Sequence, residues 1–94
     1  MQKTQRETNW YVYLVRCCDG SLYTGVAKSL QKRLLEHNSD NQLGAKYTRS
    51  RRPVKLVYQE SCSSRAFAMR REAAIKRLSK QQKEELVASG DGIQ

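Results

Sequence analysis

The sequence predicts an α+β domain with three strands and three helices in the order β-β-α-β-α-α. Three observations lead there. Residues 10–17 and 21–26 are rich in Tyr, Val and Leu, and they are joined at Asp19-Gly20, a dipeptide that favours tight hairpin turns. Residues 54–60, VKLVYQE, alternate apolar and polar as a half-buried strand does. Serines stand where a helix N-cap is needed, at Ser29, at Ser63 or Ser64, and at Ser79.

The first strand runs from Trp10 to Cys17 and the second from Ser21 to Val26. The length of the loop between them decides which side chains share a face, because a slip of one residue turns a strand over. A two-residue loop puts Tyr13 and Tyr23 on opposite faces. A three-residue loop, Cys18-Asp19-Gly20 with a left-handed glycine, puts them on the same face and sets Tyr13 opposite Gly25. If the two tyrosines cooperate, the loop must be odd or carry a bulge.

Ser29 caps a helix reaching about His37, with Leu30 and Leu34 as its buried stripe. Arg33 and His37 lie four residues apart, in one row along the edge of that stripe. Taken singly, such a His is more often a structural residue and such an Arg a solvated charge. Residues 38–53 are polar, lack periodicity and close on Pro53. A connection this long in a small domain favours a functional loop. Its Lys46, Arg49, Arg51 and Arg52 surround Tyr47, a mixture that suits phosphate contact with stacking, or equally a plain solvated charge run.

The third strand follows, with Pro53 tolerated at its start. The next helix runs to about Leu78, and Phe67, Ala74 and Leu78 should face the sheet. Glu72 shares a row with Ala68 and Ile75 beside that face, and it is also spaced for an ordinary pair with Lys76. Ser79-Lys80-Gln81-Gln82 reads as a capping box opening a last helix. Leu86 and Val87 would dock that helix and Gly90 would end it. Residues 1–8 are expected to be a flexible arm, 9–88 one domain, and 89–94 a flexible tail.

A chain of 94 residues has room for one domain and a modest core. Its 18 Lys and Arg against 9 acidic residues, a net charge of +9, point to a polyanionic partner, nucleic acid first. A membrane surface is disfavoured, since the basic residues do not line a helix with bulky apolar residues opposite. No apolar run could span a bilayer, and the polar N-terminal residues lack the apolar middle of a signal peptide, so a cytoplasmic protein is expected. Cys17, Cys18 and Cys62 show no zinc spacing, and the chain has one His. They read as reduced, buried small hydrophobes.

The residues also exclude several chemistries. There is no Ser-His-Asp set, no glycine-rich phosphate loop and no carboxylate cluster able to hold two metals. What remains is a tyrosine pair, an Arg, a His and a Glu in a basic chain. That set suffices for phosphodiester hydrolysis if a metal polarises the phosphate, the Arg neutralises growing charge and a base takes the proton of water.

Tyr11-Val12-Tyr13, with Tyr23-Thr24-Gly25 beginning ten residues after Tyr13, resembles the paired signature of the GIY-YIG nuclease superfamily. Arg33 follows Tyr23 by ten residues, His37 comes four later, and Glu72 lies on a later helix. The match covers about Trp10 to Leu78. LYTGVAKSLQKRLLEHN and AKYTRSRRPVKLVYQE are similar to small, stand-alone, single-domain bacterial members.

The resemblance implies a small three-stranded antiparallel sheet flanked by helices, with the site on one sheet face. It implies a Mg²⁺-dependent DNA endonuclease, with Mn²⁺ as a possible substitute, acting in repair, recombination or processing. Tyr13 would be the general base or pass on a proton, and Tyr23 would bond to the water or the phosphate. Arg33 would bind the scissile phosphate, His37 would assist, and Glu72 would be the one protein ligand of the metal. Lys28, Lys46, Tyr47, Arg49, Arg51 and Arg52 are the candidate nucleic-acid contacts.

Two departures stand out. Val26 occupies a position where many relatives carry Lys, which leaves Lys28 as the nearest replacement. No Asn follows Asn41, although some relatives use a late one. The alternatives are a nucleic-acid-binding module without turnover and an adaptor that places its basic surface on an acidic protein.

Overall fold

A computed structural model describes residues 9–89. The expected N-terminal arm, residues 90–94 of the expected tail and the helix stop at Gly90 lie outside the described residues. The elements are β1 (Trp10–Arg16), β2 (Leu22–Ala27), α1 (Leu30–Ser39), α2 (Lys46–Arg49), β3 (Lys55–Cys62), α3 (Arg65–Lys76) and α4 (Lys80–Ser89). The strands form one antiparallel sheet in the order β2-β1-β3. This is the α+β architecture expected from the sequence, with one short helix added in the long connection.

β1 is the central strand and is covered on both sides. Val12 and Leu14 point to one face, where Leu22, Tyr58, Cys62, Ala68 and Ile75 complete a core and Leu86 and Val87 of α4 pack at its margin. Tyr13 and Val15 point to the other face, against Ala27, Val54, Leu30 and Leu34. The period of two in β1 thus separates an apolar layer under α3 and α4 from a second layer under α1. A register shift in the β1–β3 ladder falls between Leu14 and Val15.

The hairpin takes the odd loop. Cys17 N–H donates to Ser21 O at 2.8 Å, Gly20 N–H donates to Cys17 O at 2.9 Å, and Gly20 has φ +87°. Only glycine enters that region without a steric penalty. Tyr13 accordingly pairs with Gly25.

Capping also follows the sequence. Ser29 accepts from Lys32 N–H and Ser64 from Phe67 N–H. Ser79 and Gln82 bond reciprocally, at 3.1 and 2.9 Å. Arg16 makes a two-nitrogen bond to Glu84, at 2.8 and 2.7 Å, tying α4 to the end of β1.

Three expectations are corrected. The face of α3 turned to the sheet is Ala68–Ile75, while Phe67 is 51% exposed and carries the Arg70 guanidinium 5.8 Å from its ring centre. The helix is rotated by about one residue, roughly 100°. Small Ala68, fully buried, sits on the packed side and lets the backbone approach the sheet. Cys18 is exposed because β1 ends at Arg16 and Cys18 lies in the turn; Cys17 and Cys62 are buried as expected. Residues 46–49, read as part of an aperiodic loop, form α2. Among the described residues no helix is long and apolar enough to cross a membrane.

Candidate active site

The odd hairpin loop places Tyr13 on the α1 face, and the missing side chain of Gly25 makes room for its ring. A Cβ built on Gly25 would overlap the Tyr13 hydroxyl and lie 2.5 Å from its Cζ. The ring therefore crosses β2 and brings its hydroxyl to α1. There it meets His37 Nε2 at 2.7 Å, a bond between two buried side chains.

His37 is the only buried residue of α1. Its other nitrogen, Nδ1, lies 2.9 Å from Thr48 Oγ1, and Thr48 in turn donates to Ala45 O at 3.0 Å. Ala45 N–H also approaches Nδ1, at 3.5 Å. Tyr23 packs edge-on to the imidazole at 5.4 Å between ring centres and stacks on Tyr47 at 5.9 Å. The Arg51 guanidinium covers Tyr47 at 3.9 Å. A row of rings thus runs from the buried imidazole out to a half-buried cation paired with Asp19.

Arg33, one turn before His37, lines a small cleft with Tyr13, Leu30 and Leu34. Its Nη1 donates to Glu36 Oε1 at 2.9 Å and to Leu43 O at 2.6 Å. Burial pushes the Tyr13 phenol up to about 12, against the opposing pull of the nearby Arg33, with the negative charge of Glu72 a smaller contribution in the same direction as burial. Burial likewise lowers the His37 imidazole to about 4, helped by the positive charge of Arg33. At neutral pH both members of the pair are uncharged.

Glu72 comes from α3, the helix on the opposite face of the sheet. Its carboxylate is mostly buried and lies 3.4 Å from Lys76, the pairing that the spacing also allowed. Its charge nevertheless reaches the Tyr13 hydroxyl. Tyr13, Tyr23, Arg33 and His37 therefore share one face, and Glu72 approaches from the other layer. β2 is an edge strand of the sheet.

The candidate nucleic-acid contacts divide in two. Lys28, Lys46 and Tyr47 are exposed, Lys28 lies 5.7 Å from the Trp10 ring centre, and Arg51 pairs with Asp19 at 3.1 Å. Arg49 and Arg52 turn back on the protein. Arg49 donates to Asn41 O. Arg52 donates to His37 O at 2.6 Å, Asp40 O at 3.0 Å and Asn41 Oδ1 at 2.9 Å. These two hold the connection that closes over His37.

Sequence reasoning missed Thr48, Asn38 and Glu36. Thr48 is fully buried. The Asn38 amide bonds both the N–H and the C=O of Val54, at 2.8 and 3.1 Å, fixing the start of β3. No periodicity could reveal Thr48, because a four-residue helix is too short to show a pattern.

Tyrosines on a hairpin, directed at an Arg and a His on the following helix, belong to a class of nuclease domain. Residues 9–85 match the GIY-YIG catalytic domain, and the chain belongs to the GIY-YIG family, a family of endonucleases. Within it the chain is similar to UPF0213 proteins. It is 52% identical over 82 residues to one from Desulfotalea psychrophila, covering 87% of this chain and 74% of that protein. It is also 52% identical over 80 residues to one from Staphylococcus saprophyticus, covering 85% and 95%. The solution NMR structure of a UPF0213 protein from Bacillus halodurans has a TM-score of 0.57 at 43% identity, covering 92% of this chain and 88% of that one. That of a protein from E. faecalis has a TM-score of 0.59 at 39% identity, covering 87% and 85%.

Proposed function

We propose that this chain is a divalent-metal-dependent DNA endonuclease that selects substrate by structure more than by sequence and acts in DNA repair, recombination or processing. The observation that carries the reading is the buried 2.7 Å bond between Tyr13 and His37, with Arg33 lining a cleft beside Tyr13, on the fold of an endonuclease family. A domain this small has little surface to spare for reading base edges.

The residues divide the work as follows. Arg33 receives the scissile phosphate and neutralises the charge that grows on it. Tyr13 takes the proton of the attacking water as it passes its own to His37 Nε2. A phenol raised to about 12 holds almost no phenolate at neutral pH, so Tyr13 works as a relay and not as a standing base. Negative phosphate entering beside Arg33 raises the imidazole from its resting value and favours the transfer. Tyr23, between His37 and Tyr47, orients the water or the phosphate.

Among the described residues no three His, Cys, Asp or Glu side chains gather as a metal cage. A lone, mostly buried carboxylate still fits a hard ion such as Mg²⁺, which keeps several waters and binds through one or two carboxylates with substrate phosphates. Glu72 is that carboxylate. When bound, Mg²⁺ or Mn²⁺ would polarise a phosphate oxygen and steady the leaving oxygen.

The test is a panel of labelled duplex, flap, junction and single-stranded DNA with and without Mg²⁺. Cleavage should need the metal and favour a branched substrate. Glu72→Ala and Arg33→Ala should each slow cleavage by about 100-fold or more while DNA binding persists. Wild-type cleavage by Glu72→Ala would overturn the metal assignment. No cleavage on any substrate would leave a binding module. Binding without a steep salt dependence would leave the adaptor for an acidic protein.

A further inference from the structure

We infer that Thr48 is a positioning residue: its hydroxyl holds His37 in the tautomer protonated at Nδ1, leaving Nε2 free to accept the Tyr13 proton. The inference rests on the relay proposed above for its consequence, though not for its geometry.

The argument is an accounting of protons. Thr48 has one hydroxyl proton, and it is directed to Ala45 O at 3.0 Å. Its oxygen is then an acceptor, and the group 2.9 Å away, His37 Nδ1, must be the donor. A neutral imidazole protonated at Nδ1 has its lone pair on Nε2, and the Tyr13 hydroxyl donates to it at 2.7 Å. Arg33 can only donate, and it favours the Tyr13 oxygen as an acceptor. The protons of Tyr13, His37 and Thr48 then each have a destination, and the Ala45 N–H, at the longer distance of 3.5 Å from Nδ1, is the one donor that gives way.

The other tautomer fares worse. With the proton on Nε2, His37 would donate to Tyr13, and the Tyr13 proton would lose its acceptor in a site where Tyr13 is 2% exposed. Nδ1 would accept from Thr48, which would then abandon Ala45 O, or from Ala45 N–H at the longer 3.5 Å. A buried donor without a partner costs about 1–3 kcal/mol. The wrong tautomer would also place a proton where the relay needs a lone pair.

The chain offers a clean test, because His37 is its one histidine. In protein carrying ¹⁵N-labelled histidine, long-range proton–nitrogen correlation separates the two tautomers of a single imidazole. The wild type and Thr48→Ser should show Nδ1 protonated. Thr48→Val keeps the shape without the hydroxyl and should shift a large fraction to Nε2. In the cleavage assay Thr48→Val should lower kcat by about 10- to 100-fold with KM little changed, and Thr48→Ser should restore most of it; this is below the full 10²–10⁴ of general-base catalysis.

A wild-type spectrum with Nε2 protonated would overturn the inference outright, as would a folded Thr48→Val that keeps the Nδ1 form. A drop in kcat without a change of tautomer would do the same. If Thr48→Val does not fold, the wild-type and Thr48→Ser spectra still decide. The tautomer is read without substrate, so failure of the nuclease reading and failure of this one are separate outcomes.

Discussion

At the scale of single residues, His37 is the most informative group. Its imidazole is lowered to about 4 by burial, with Arg33 and Arg52 adding to the effect and Glu36 opposing it. Between pH 6.5 and 4 the unfolded chain binds a proton that the folded one refuses. Stability should therefore be complete above pH 6.5 and fall as the pH drops toward 4. From 6.5 to about 4, at roughly 1.4 kcal/mol per pH unit, the loss is on the order of 3 kcal/mol. Urea midpoints of the wild type should fall across this window, whereas those of His37→Gln, less stable at pH 7, should stay nearly level. Parallel curves for the two proteins would show that the imidazole is not held neutral.

Residue-level chemistry was legible in part. The odd hairpin loop, the pairing of Tyr13 with Gly25 and the serine caps all follow from local rules about turns, pleats and orphan N–H groups. The burial of His37 was not legible, because its partners lie on the sheet, 24 residues earlier, and on a helix 11 residues further on. A row on a helical wheel says that His37 sits beside the apolar stripe, but not what covers it.

At the scale of elements, the connection between α1 and β3 is a built structure. Arg33, Arg49 and Arg52 donate to the carbonyls of His37, Asp40, Asn41 and Leu43. A run of basic residues reads from sequence as a charge patch, since nothing local tells an outward guanidinium from one folded back on the chain.

The two kinds predict different behaviour. Arg52→Ala should destabilise the fold by about 1–3 kcal/mol through the carbonyls it leaves unpaired, with little change in the salt dependence of DNA binding. Lys46→Ala, at an exposed side chain, should scarcely alter the melting temperature but should reduce the slope of log K against log salt by about one phosphate contact. A reduced slope for Arg52→Ala with an unchanged melting temperature would reverse this assignment. The same limit hid the face of α3. Phe67 carries more apolar area than Ala68, yet close approach to the sheet selects the smaller residue, and a hydrophobic pattern weighs area alone.

At the scale of the whole molecule, a three-stranded sheet with helices on both faces separates the roles. The layer under α3 and α4 is largely an apolar core, with Glu72 at the edge of its helix. The layer under α1 holds the polar cluster. Spacing and resemblance pointed to Tyr13, Tyr23, Arg33 and His37, which lie together on one face, but not to Thr48, and three strand signals pointed to the sheet. The sequence did not reveal that the carboxylate comes from the opposite layer. That depends on how far α3 reaches across the edge strand, a distance no spacing encodes. Of the 18 basic residues behind the net charge of +9, Arg33, Arg71 and Arg16 are engaged by Glu36, Glu60 and Glu84.

One of those engagements shapes how the protein meets its ligand. The same Arg33 nitrogen bonds both Glu36 and the Leu43 carbonyl, so under the proposed function an incoming phosphate would have to compete with a rival anion. On that proposal the free protein would be its own weak inhibitor, with affinity set by a contest as well as by attraction. Removing the rival by Glu36→Gln should tighten DNA binding by about two- to fivefold, the worth of a partly exposed ion pair. Fluorescence anisotropy at two salt concentrations would read the change, and unaltered affinity would mean that the carboxylate never stood in the way.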